Sequence, residues 1–510
     1  MQKRIKWIHL AFVSIAWVSG CAKVDPSADY RRVAERVKDA TGRDEVYHPD
    51  EDDLIAAKVA DLLRDGLTVD EAVQISLLNN PRLQAAFWNI GMARADVVQS
   101  GLLSNPTLGL SFRLPSGGGL ANFEAGIVQN IADLWQIPVR KRAAEQTLNA
   151  VILKLARQVG VNAMNAKSAY FEAQAADRQR EIALENLELS KQLLGLTTTR
   201  RQAGAGNEIE VNLSRAELLE TELAVRTAEQ NAYTARRNLT ILLGLSIPLT
   251  DLVLTESLPN PIAFSLQEDR VFSLAQQYRP DLLAAEASVE SALAAYKQEV
   301  LRIFPTLNVG LALERMERGP SNGRDRLAES VRNTAQAGAI SGPDVRFDED
   351  KNTDLILGPS IGLQLPIFDQ NQAQIARAAY AHKQAAKSLE AMKQQITQDA
   401  RLAIENARIA LDMAGFFHSE LLPLRQQNLD LTREAFRAGR TPLAIVLDAQ
   451  RALIAARGRY IEQTKEAAVA LVELEKVVAL PLTQILSANT DQAFENTDPV
   501  DEQPHAGAES

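Results

Sequence analysis

Two copies of one long unit occupy most of this sequence. Three motifs each occur twice: Asn80-Pro81 with Arg279-Pro280, Asn105-Pro106 with Phe304-Pro305, and Ala203-Gly204 with Ala438-Gly439. The first two pairs are each 199 positions apart (280 − 81 and 305 − 106), so this part of the unit aligns without a gap. The third pair is 235 positions apart (439 − 204). A unit of roughly 200 residues is far longer than a solenoid repeat, so the sequence predicts a duplicated half-domain.

The first 20 residues have the pattern of a secretory signal peptide. Three basic residues precede an apolar run from Trp7 to Val18, and the small residues Ser19 and Gly20 follow it. We therefore expect residues 1–20 to direct export from the cytoplasm.

Cys21 is the only cysteine of the chain, so an intrachain disulfide is impossible. The run Val18-Ser19-Gly20-Cys21 resembles a bacterial lipobox, which implies acylation of Cys21. The residue after the cysteine is Ala22, which resembles the outer-membrane sorting signal of such lipoproteins. Several acyl chains anchor a protein firmly in a bilayer, whereas one is marginal. The alternative is a chance cysteine after an ordinary cleavage site.

After residue 20, no run of 18 apolar residues remains, so we expect any membrane crossing to use strands. The formal net charge is −10, and the 55 basic and 65 acidic residues are mixed along the chain. This distribution argues against a nucleic-acid partner.

Long helices are predicted because no proline occurs between Pro138 and Pro248, a stretch rich in good helix formers. We expect one helix from about Val139 to Arg201, a turn through Asn207, and a second helix from about Glu208 to Leu243. Helix content alone leaves an ordinary coiled-coil rod as an alternative.

The second copy repeats this layout. We expect a long helix over Gln372 to Arg437, a turn ending at Pro442, and a return helix over Leu443 to Ala479. Pro423 lies inside the long helix and predicts a kink near Ser419 to Leu422, because proline removes a backbone donor and clashes with the preceding turn.

Four short segments alternate apolar with polar or very small residues, the pattern of strands with one apolar face. The apolar positions are Leu108, Leu110 and Phe112; Phe123, Ala125 and Ile127; Leu307, Val309 and Leu311; and Ile361, Leu363 and Leu365. These form two hairpins. The first closes through a short loop from Arg113 to Asn122, and the second carries a polar insertion from about Arg315 to Asp354.

Four strands with an apolar outer face cannot close a barrel alone, and an open strand edge is not tolerated in lipid. The strands therefore predict an oligomer, and two, three or four copies would give eight, twelve or sixteen strands. The alternative is a small sheet that caps a soluble helical bundle.

The order of these segments resembles the TolC-like family of outer-membrane efflux channels over about Leu67 to Leu482. The motifs that carry the resemblance are Leu67-Thr68-Val69-Asp70-Glu71-Ala72, Asn79-Asn80-Pro81, Arg279-Pro280-Asp281-Leu282, Leu365-Pro366-Ile367-Phe368-Asp369, Arg437-Ala438-Gly439 and Val446-Leu447-Asp448-Ala449.

The resemblance implies a mainly α fold with a small β part. In such proteins a homotrimer forms a transmembrane β-barrel, with four strands from each chain, and a long periplasmic α-helical barrel. It also implies a passive exit duct whose partners are a periplasmic adaptor, an inner-membrane pump and the outer-membrane lipid. The rival hypothesis is a lipoprotein that serves as a periplasmic helical scaffold without a pore.

The family's closed tip carries a ring of acidic side chains, which would select cations. Asp448 matches one acidic position, whereas Ile445 departs from the other. Glu208 and Glu210, at the equivalent tip of the first copy, could supply the missing charge; the alternative is that they are solvated carboxylates favoured by the helix dipole. The turns at Ala203, Gly204, Ala438 and Gly439 are expected to dock the adaptor.

No catalytic residue, metal site or cofactor is predicted, because the five histidines are dispersed and no nucleophile motif occurs. A hydrolase in the 315–354 insertion has only the length of that insertion in its favour. The predicted organisation is a signal peptide (1–20), a lipidated periplasmic extension (21–66), repeat 1 (67–255), repeat 2 (256–484) and a disordered acidic tail (485–510).

Overall fold

The computed structural model describes residues 22–43, 45–114, 122–248, 252–260, 267–303, 306–317, 340–341 and 353–487. The predictions for the signal peptide, Cys21, the glycine-rich part of the first hairpin loop, most of the 315–354 insertion and the end of the tail lie outside these residues.

The described chain is mainly helical. Its helices are α1 (Ser27–Thr41), α2 (Asp52–Leu62), α3 (Val69–Asn79), α4 (Pro81–Ser100), α5 (Asp133–Gln202), α6 (Glu208–Leu243), α7 (Glu268–Tyr278), α8 (Pro280–Leu301), α9 (Gln372–Phe416), α10 (Leu422–Arg437) and α11 (Leu443–Val478). Its strands are β1 (Thr107–Arg113), β2 (Asn122–Asn130), β3 (Leu307–Glu317), β4 (Ile340–Ser341) and β5 (Thr353–Leu363).

These elements form two compact units. One unit contains Gly91–Val151 and Ala284–Leu389, and therefore the whole sheet. The other contains Ser27–Ile90, Ile152–Leu283 and the chain from Glu390 onward, and therefore the tips of the long helices.

The sheet has the strand order β1-β2-β3-β5-β4, and all its pairs are antiparallel. The two predicted hairpins are β1 with β2 and β3 with β5, and β2 with β3 joins them into one sheet. The two-residue strand β4 was not predicted; in the described part of the chain it pairs with Ser360 and Ile361 of β5. The apolar alternation predicted to reach Leu365 ends as a strand at Leu363.

The register places the alternating apolar residues of all four long strands, as predicted from the sequence, on one face. Leu110 is opposite Ala125, Ala125 is opposite Leu313, and Leu313 is opposite Leu357. Directly opposed residues share a face of an antiparallel sheet. Leu108, Leu110, Phe112, Val309 and Leu363 are exposed in the single chain. The predicted apolar face is therefore formed, in register, across the four long strands, with Arg315 between Phe123 and Leu355 as its charged exception.

The opposite face carries mostly small and polar residues, with Val128, Met316 and Ile356 as apolar exceptions, and its small residues bring the strands into close contact. A Cβ added at Gly310 would lie 2.9 Å from Oγ of Ser360 and 3.0 Å from a methyl group of Val128. Glycine is required here by space rather than by backbone conformation.

The predicted long helices are confirmed, with small changes at their ends. α6 has the predicted bounds, and α5 begins six residues earlier than predicted, at Asp133, so that Pro138 lies near the helix start. The long helix of the second copy is interrupted where the proline predicts it. A π turn over Phe417–Leu421 separates α9 from α10, and Pro423 lies in the first turn of the new helix.

The extension before the first copy has more structure than the sequence predicts. Helix α1 buries Tyr30, Val33 and Val37. The rings of Tyr47 and Phe87 meet edge to face with centroids 5.4 Å apart. Much of the predicted tether is therefore packed on the helical unit, and its apolar spacing in α1 was the signal that could have indicated this.

The helices that begin at the two repeated prolines, α4 at Pro81 and α8 at Pro280, are held at their starts by different interactions. In the first copy, the Asn80 amide donates to the carbonyl oxygen of Leu242 at 2.9 Å. In the second, Arg279 donates to both carboxylate oxygens of Asp281, at 3.0 and 2.7 Å, and Arg157 lies 3.4 Å from that carboxylate. Burial acts to raise the pKa of Asp281, but the hydrogen bonds from Arg279 and the charge of Arg157 outweigh it, and the pKa is lowered.

No helix in the described part of the chain is both long enough and apolar enough to cross a membrane.

Candidate functional site at the helix tips

The first long hairpin turns at a Schellman motif. Gly204 has a left-handed backbone with φ +72°. The amide of Gly204 donates to the carbonyl oxygen of Arg201 at 3.0 Å, and the amide of Ala205 donates to that of Arg200 at 2.8 Å. This pair of bonds satisfies the carbonyl groups at the end of α5.

The second hairpin turns in the same way. Gly439 has φ +71°, its amide donates to the carbonyl oxygen of Phe436 at 2.9 Å, and the amide of Arg440 donates to that of Ala435 at 2.8 Å. No heavy atom would lie within 4 Å of a Cβ at Gly204 or Gly439, so each glycine is required by its backbone conformation alone. The two predicted tip turns thus share one geometry at the 235-residue offset.

The return helices begin with different caps. The Asn207 side chain accepts a hydrogen bond from the amide of Glu210 at 2.9 Å and caps α6. Pro442 precedes α11 and provides no side-chain cap. The first turn of α6 carries Glu208 and Glu210, as expected for acidic residues at a positive helix end.

The predicted gate carboxylates have different surroundings. Asp448 is exposed on α11, one turn after Ile445, which is 45% exposed. Glu208 forms an ion pair with Arg201 at 2.6 Å. One carboxylate oxygen of Glu210 is buried without a hydrogen-bond partner among the described residues. The gate assignment of these three residues remains a prediction.

An arginine that the sequence analysis did not identify links the two return helices. The Nε atom of Arg451 on α11 donates to Glu217 on α6 at 2.8 Å, and its Nη2 atom lies 3.0 Å from Glu220. The hydrogen bond with Glu217 raises the pKa of Arg451, and the charges of Glu217, Glu220 and Asp448 add to this effect. Glu217 is buried, so the pair is better shielded from solvent than an ordinary surface pair.

Further contacts join the tip of the first copy to that of the second. The guanidinium of Arg200 lies 4.8 Å from the ring centre of Phe436, in cation–π geometry. The amide of Gln450 donates to Asn186 at 2.8 Å, and Gln450 is 2% exposed. An apolar cluster lies beneath the second turn and consists of Leu429, Phe436, Leu443, Val446, Leu447 and Leu453. The two hairpins therefore form one packed body at their tips.

A groove of about 240 Å³ lies between α5, α10 and α11 near these turns. Its lining is Leu189, Gln192, Leu193, Leu196, Arg433, Phe436, Arg437, Val446 and Gln450. No group of three or more potential metal ligands occurs among the residues that the structure describes.

A duplicated unit that combines an apolar-faced sheet with long, matched helical hairpins defines the architecture of an efflux duct. Residues 72–245 and 271–480 match the family model described as outer membrane efflux protein. These segments cover most of the chain, so the chain belongs to the outer membrane efflux protein family. The family predicted from the sequence is confirmed, and it consists of outer-membrane efflux channels rather than enzymes.

Individual relatives are distant but extend along most of the chain. The cobalt-zinc-cadmium resistance protein CzcC of Cupriavidus metallidurans is 23% identical over 411 residues, which cover 79% of this chain and 89% of the relative. The pyoverdine export outer membrane protein OpmQ of Pseudomonas putida is 24% identical over 436 residues, which cover 81% and 84%. The crystal structure of CusC has a TM-score of 0.62 at 19% identity, over 81% of this chain and 92% of that one.

Proposed function

We propose that this chain forms the passive outer-membrane exit duct of a tripartite export system and performs no chemistry of its own. The observation that carries the proposal is the in-register sheet with one apolar face. In lipid every backbone group needs a partner, but within the described chain no strand pairs with the outer edge of β1 or with most of the outer edge of β5. A second and a third copy would supply those neighbours.

The oligomer proposed is a homotrimer, in agreement with the resemblance stated from the sequence. Three copies would contribute their four long strands to a closed barrel of twelve strands. Among the described residues, the two-residue strand β4 pairs with Ser360 and Ile361 on the outer edge of β5. A neighbouring chain that pairs with the whole of this edge would have to displace β4.

The tips are the proposed contact with the rest of the system. Six Schellman turns would surround the end of the trimer, two from each chain at Ala203-Gly204 and Ala438-Gly439. We propose that they dock a periplasmic adaptor, which connects the duct to an inner-membrane pump. Cys21 would carry the acyl chains that hold the protein in the outer membrane.

The proposed aperture gate is the carboxylate of Asp448, with Glu208 and Glu210 as the alternative set. Support for Asp448 comes from its exposure near the tip and from the neighbouring Arg451 ion pairs, which fix the helix that carries it. Glu208 is paired directly with Arg201. The charge of Arg451 acts on Asp448, but Arg451 is already bound to two carboxylates of α6. This favours Asp448 as the less neutralised carboxylate.

The cargo is proposed from the names of relatives. CzcC is named for cobalt, zinc and cadmium resistance and OpmQ for pyoverdine export, so these metal ions and pyoverdine are the two kinds of cargo to test. A deletion strain would be scored for resistance to the three metal ions and for pyoverdine secretion. Loss of one phenotype, restored by the intact gene, identifies the cargo.

The tip and the pore are tested by two separate variants. Gly439→Val should leave the protein in the outer membrane but lower export, because the turn cannot form at low cost with a β-branched residue. Asp448→Ala should raise single-channel conductance or reduce block by multivalent cations in planar bilayers. Asp412→Ala, an exposed carboxylate on α9, is the control for a general charge effect.

The outcomes separate the rival hypotheses. If Asp448→Ala changes neither conductance nor block while Glu208→Ala or Glu210→Ala does, the gate belongs to the first copy. A purified protein that never conducts, combined with tip variants that never affect export, would support the periplasmic scaffold instead.

A further inference from the structure

The groove between α5, α10 and α11 combines an apolar lining with unpaired positive charge. Leu189, Leu193 and Leu196 contribute aliphatic surface from α5, and Phe436 and Val446 contribute more. Arg433 and Arg437 line the same groove from α10. In the described part of the chain neither arginine forms an ion pair, although other arginines near the tip do, such as Arg201 with Glu208.

Arg433 is the more costly of the two to leave unpaired. Its side chain is half-buried. Burial lowers the pKa of Arg433, the charge of Asp430 raises it, and the like charges of Arg437 and Arg457 lower it further. A desolvated guanidinium with two like-charged neighbours gains more from an added carboxylate than a solvated one does.

The size of the groove indicates what could enter it. A volume of about 240 Å³ is below the roughly 300–1,000 Å³ typical of sites that enclose a small molecule. It suits one or two side chains from a protein partner. The aliphatic lining fits an apolar side chain, and the guanidinium fork of arginine matches a carboxylate in two-bond geometry.

We propose that this groove receives an acidic side chain, Asp or Glu, together with a neighbouring aliphatic side chain from the periplasmic adaptor, and that Arg433 and Arg437 bind the carboxylate. This inference rests on the proposed function and specifies the chemistry of its partner. The groove adjoins the Gly439 turn through Phe436 and Arg437, so turn and groove form one docking surface.

The test uses charge reversal at Arg433 in the full-length protein. Arg433→Glu should lower retention of the adaptor, measured by quantitative co-purification after crosslinking in cells, by about tenfold or more, because it replaces a charge-assisted bond with repulsion. Arg433→Lys keeps the charge but loses the fork, and it should retain an intermediate amount. Arg425→Glu is the matched control, since Arg425 is an exposed arginine of the same helix outside the groove.

Suppressor selection then identifies the partner residue. Cells that carry Arg433→Glu and have lost export are selected for its recovery, and the proposal expects second-site changes from Asp or Glu to Lys or Arg in the adaptor. Normal adaptor retention by Arg433→Glu, an equal loss with Arg425→Glu, or suppressors that never involve an adaptor carboxylate would each overturn it. Planar-bilayer conductance distinguishes failure of this inference from failure of the proposed function. If Arg433→Glu conducts normally but no longer retains the adaptor, the protein still forms a duct and the defect lies in docking. If the unmodified protein does not conduct, the proposed function as a duct is wrong.

Discussion

Gly244 and Gly439 have the same backbone conformation in very different surroundings, and this difference predicts how each tolerates alanine. Their φ angles are +67° and +71°. A Cβ at Gly244 would overlap the carbonyl oxygen of Asn79 and lie 2.9 Å from Cδ of Pro81, whereas a Cβ at Gly439 would meet nothing within 4 Å. The left-handed backbone is common to both sites, so the comparison isolates the effect of space.

Gly439→Ala should reduce the free energy of unfolding by about 1 kcal/mol, the cost of alanine in the left-handed region. Gly244→Ala carries the same cost and also displaces Asn79. The Asn79 amide donates to the carbonyl oxygens of Leu243 at 3.0 Å and Gly244 at 2.9 Å. Losing these two bonds costs about 1 kcal/mol each, and residual crowding adds about 1 kcal/mol or more. The expected loss is therefore about 4 kcal/mol.

The assay is thermal unfolding of the purified protein in detergent, followed by circular dichroism at one fixed scan rate, because a large membrane protein unfolds irreversibly. Gly244→Ala should lower the midpoint several times more than Gly439→Ala. A third variant tests the equivalent position of the second copy, Ala479, which has φ +61° and is 5% exposed. Ala479→Gly should be close to neutral, because the relief of strain and the loss of a buried methyl group are each about 1 kcal/mol. Equal losses for the first two variants would refute the reasoning.

Three further predictions concern the anchor, the sheet and an ion cluster. Cys21→Ser should abolish incorporation of radiolabelled palmitate, and unchanged labelling would contradict the lipoprotein assignment. Leu363→Arg should weaken assembly of the membrane sheet far more than Gln364→Arg, since a charge on the lipid face costs roughly 2–4 kcal/mol; heat stability of the oligomer on gels measures this, and equal tolerance would contradict the predicted face. Asp281→Asn should destabilise the protein by roughly 3 kcal/mol near neutral pH, because it removes the carboxylate that binds buried Arg279 through two hydrogen bonds and leaves only the more distant Asp399, at 3.8 Å. The folded-state pKa of Asp281 is lowered from its ordinary value of 3.8. The difference in stability between the unmodified protein and Asp281→Asn should therefore be present above pH 3.8 and shrink as the pH falls below it. A stability difference that is unchanged at low pH would contradict the ion-pair assignment.

Much of the fold could be predicted because its signals are local. The bounds of α6 follow from Asn207 as a cap and Gly244 as a left-handed end, and the strands follow from alternation at positions such as Leu108 and Leu110. The interruption before α10 follows from Pro423.

The tip contacts could not be predicted, since they depend on which helix faces meet. Arg451 is bound to Glu217, 234 positions earlier, and nothing near Arg451 in the sequence indicates that partner. The same holds for Arg200 and Phe436. The missed helices α1 and α2 lie before the repeat, where no second copy guided the interpretation.

The pairing of β2 with β3 has a consequence for the order in which the protein assembles. Its opposed residues are between 178 (Asn308 and Asn130) and 192 (Arg315 and Phe123) positions apart, so the two hairpins can meet only after the chain between them has been translocated. Contacts between such distant segments form slowly, because the loop must close before they contribute any free energy. The continuous apolar face therefore appears late in folding. Until then the apolar residues of the two hairpins are not joined into one surface, which allows the chain to pass through one membrane before it is inserted into another.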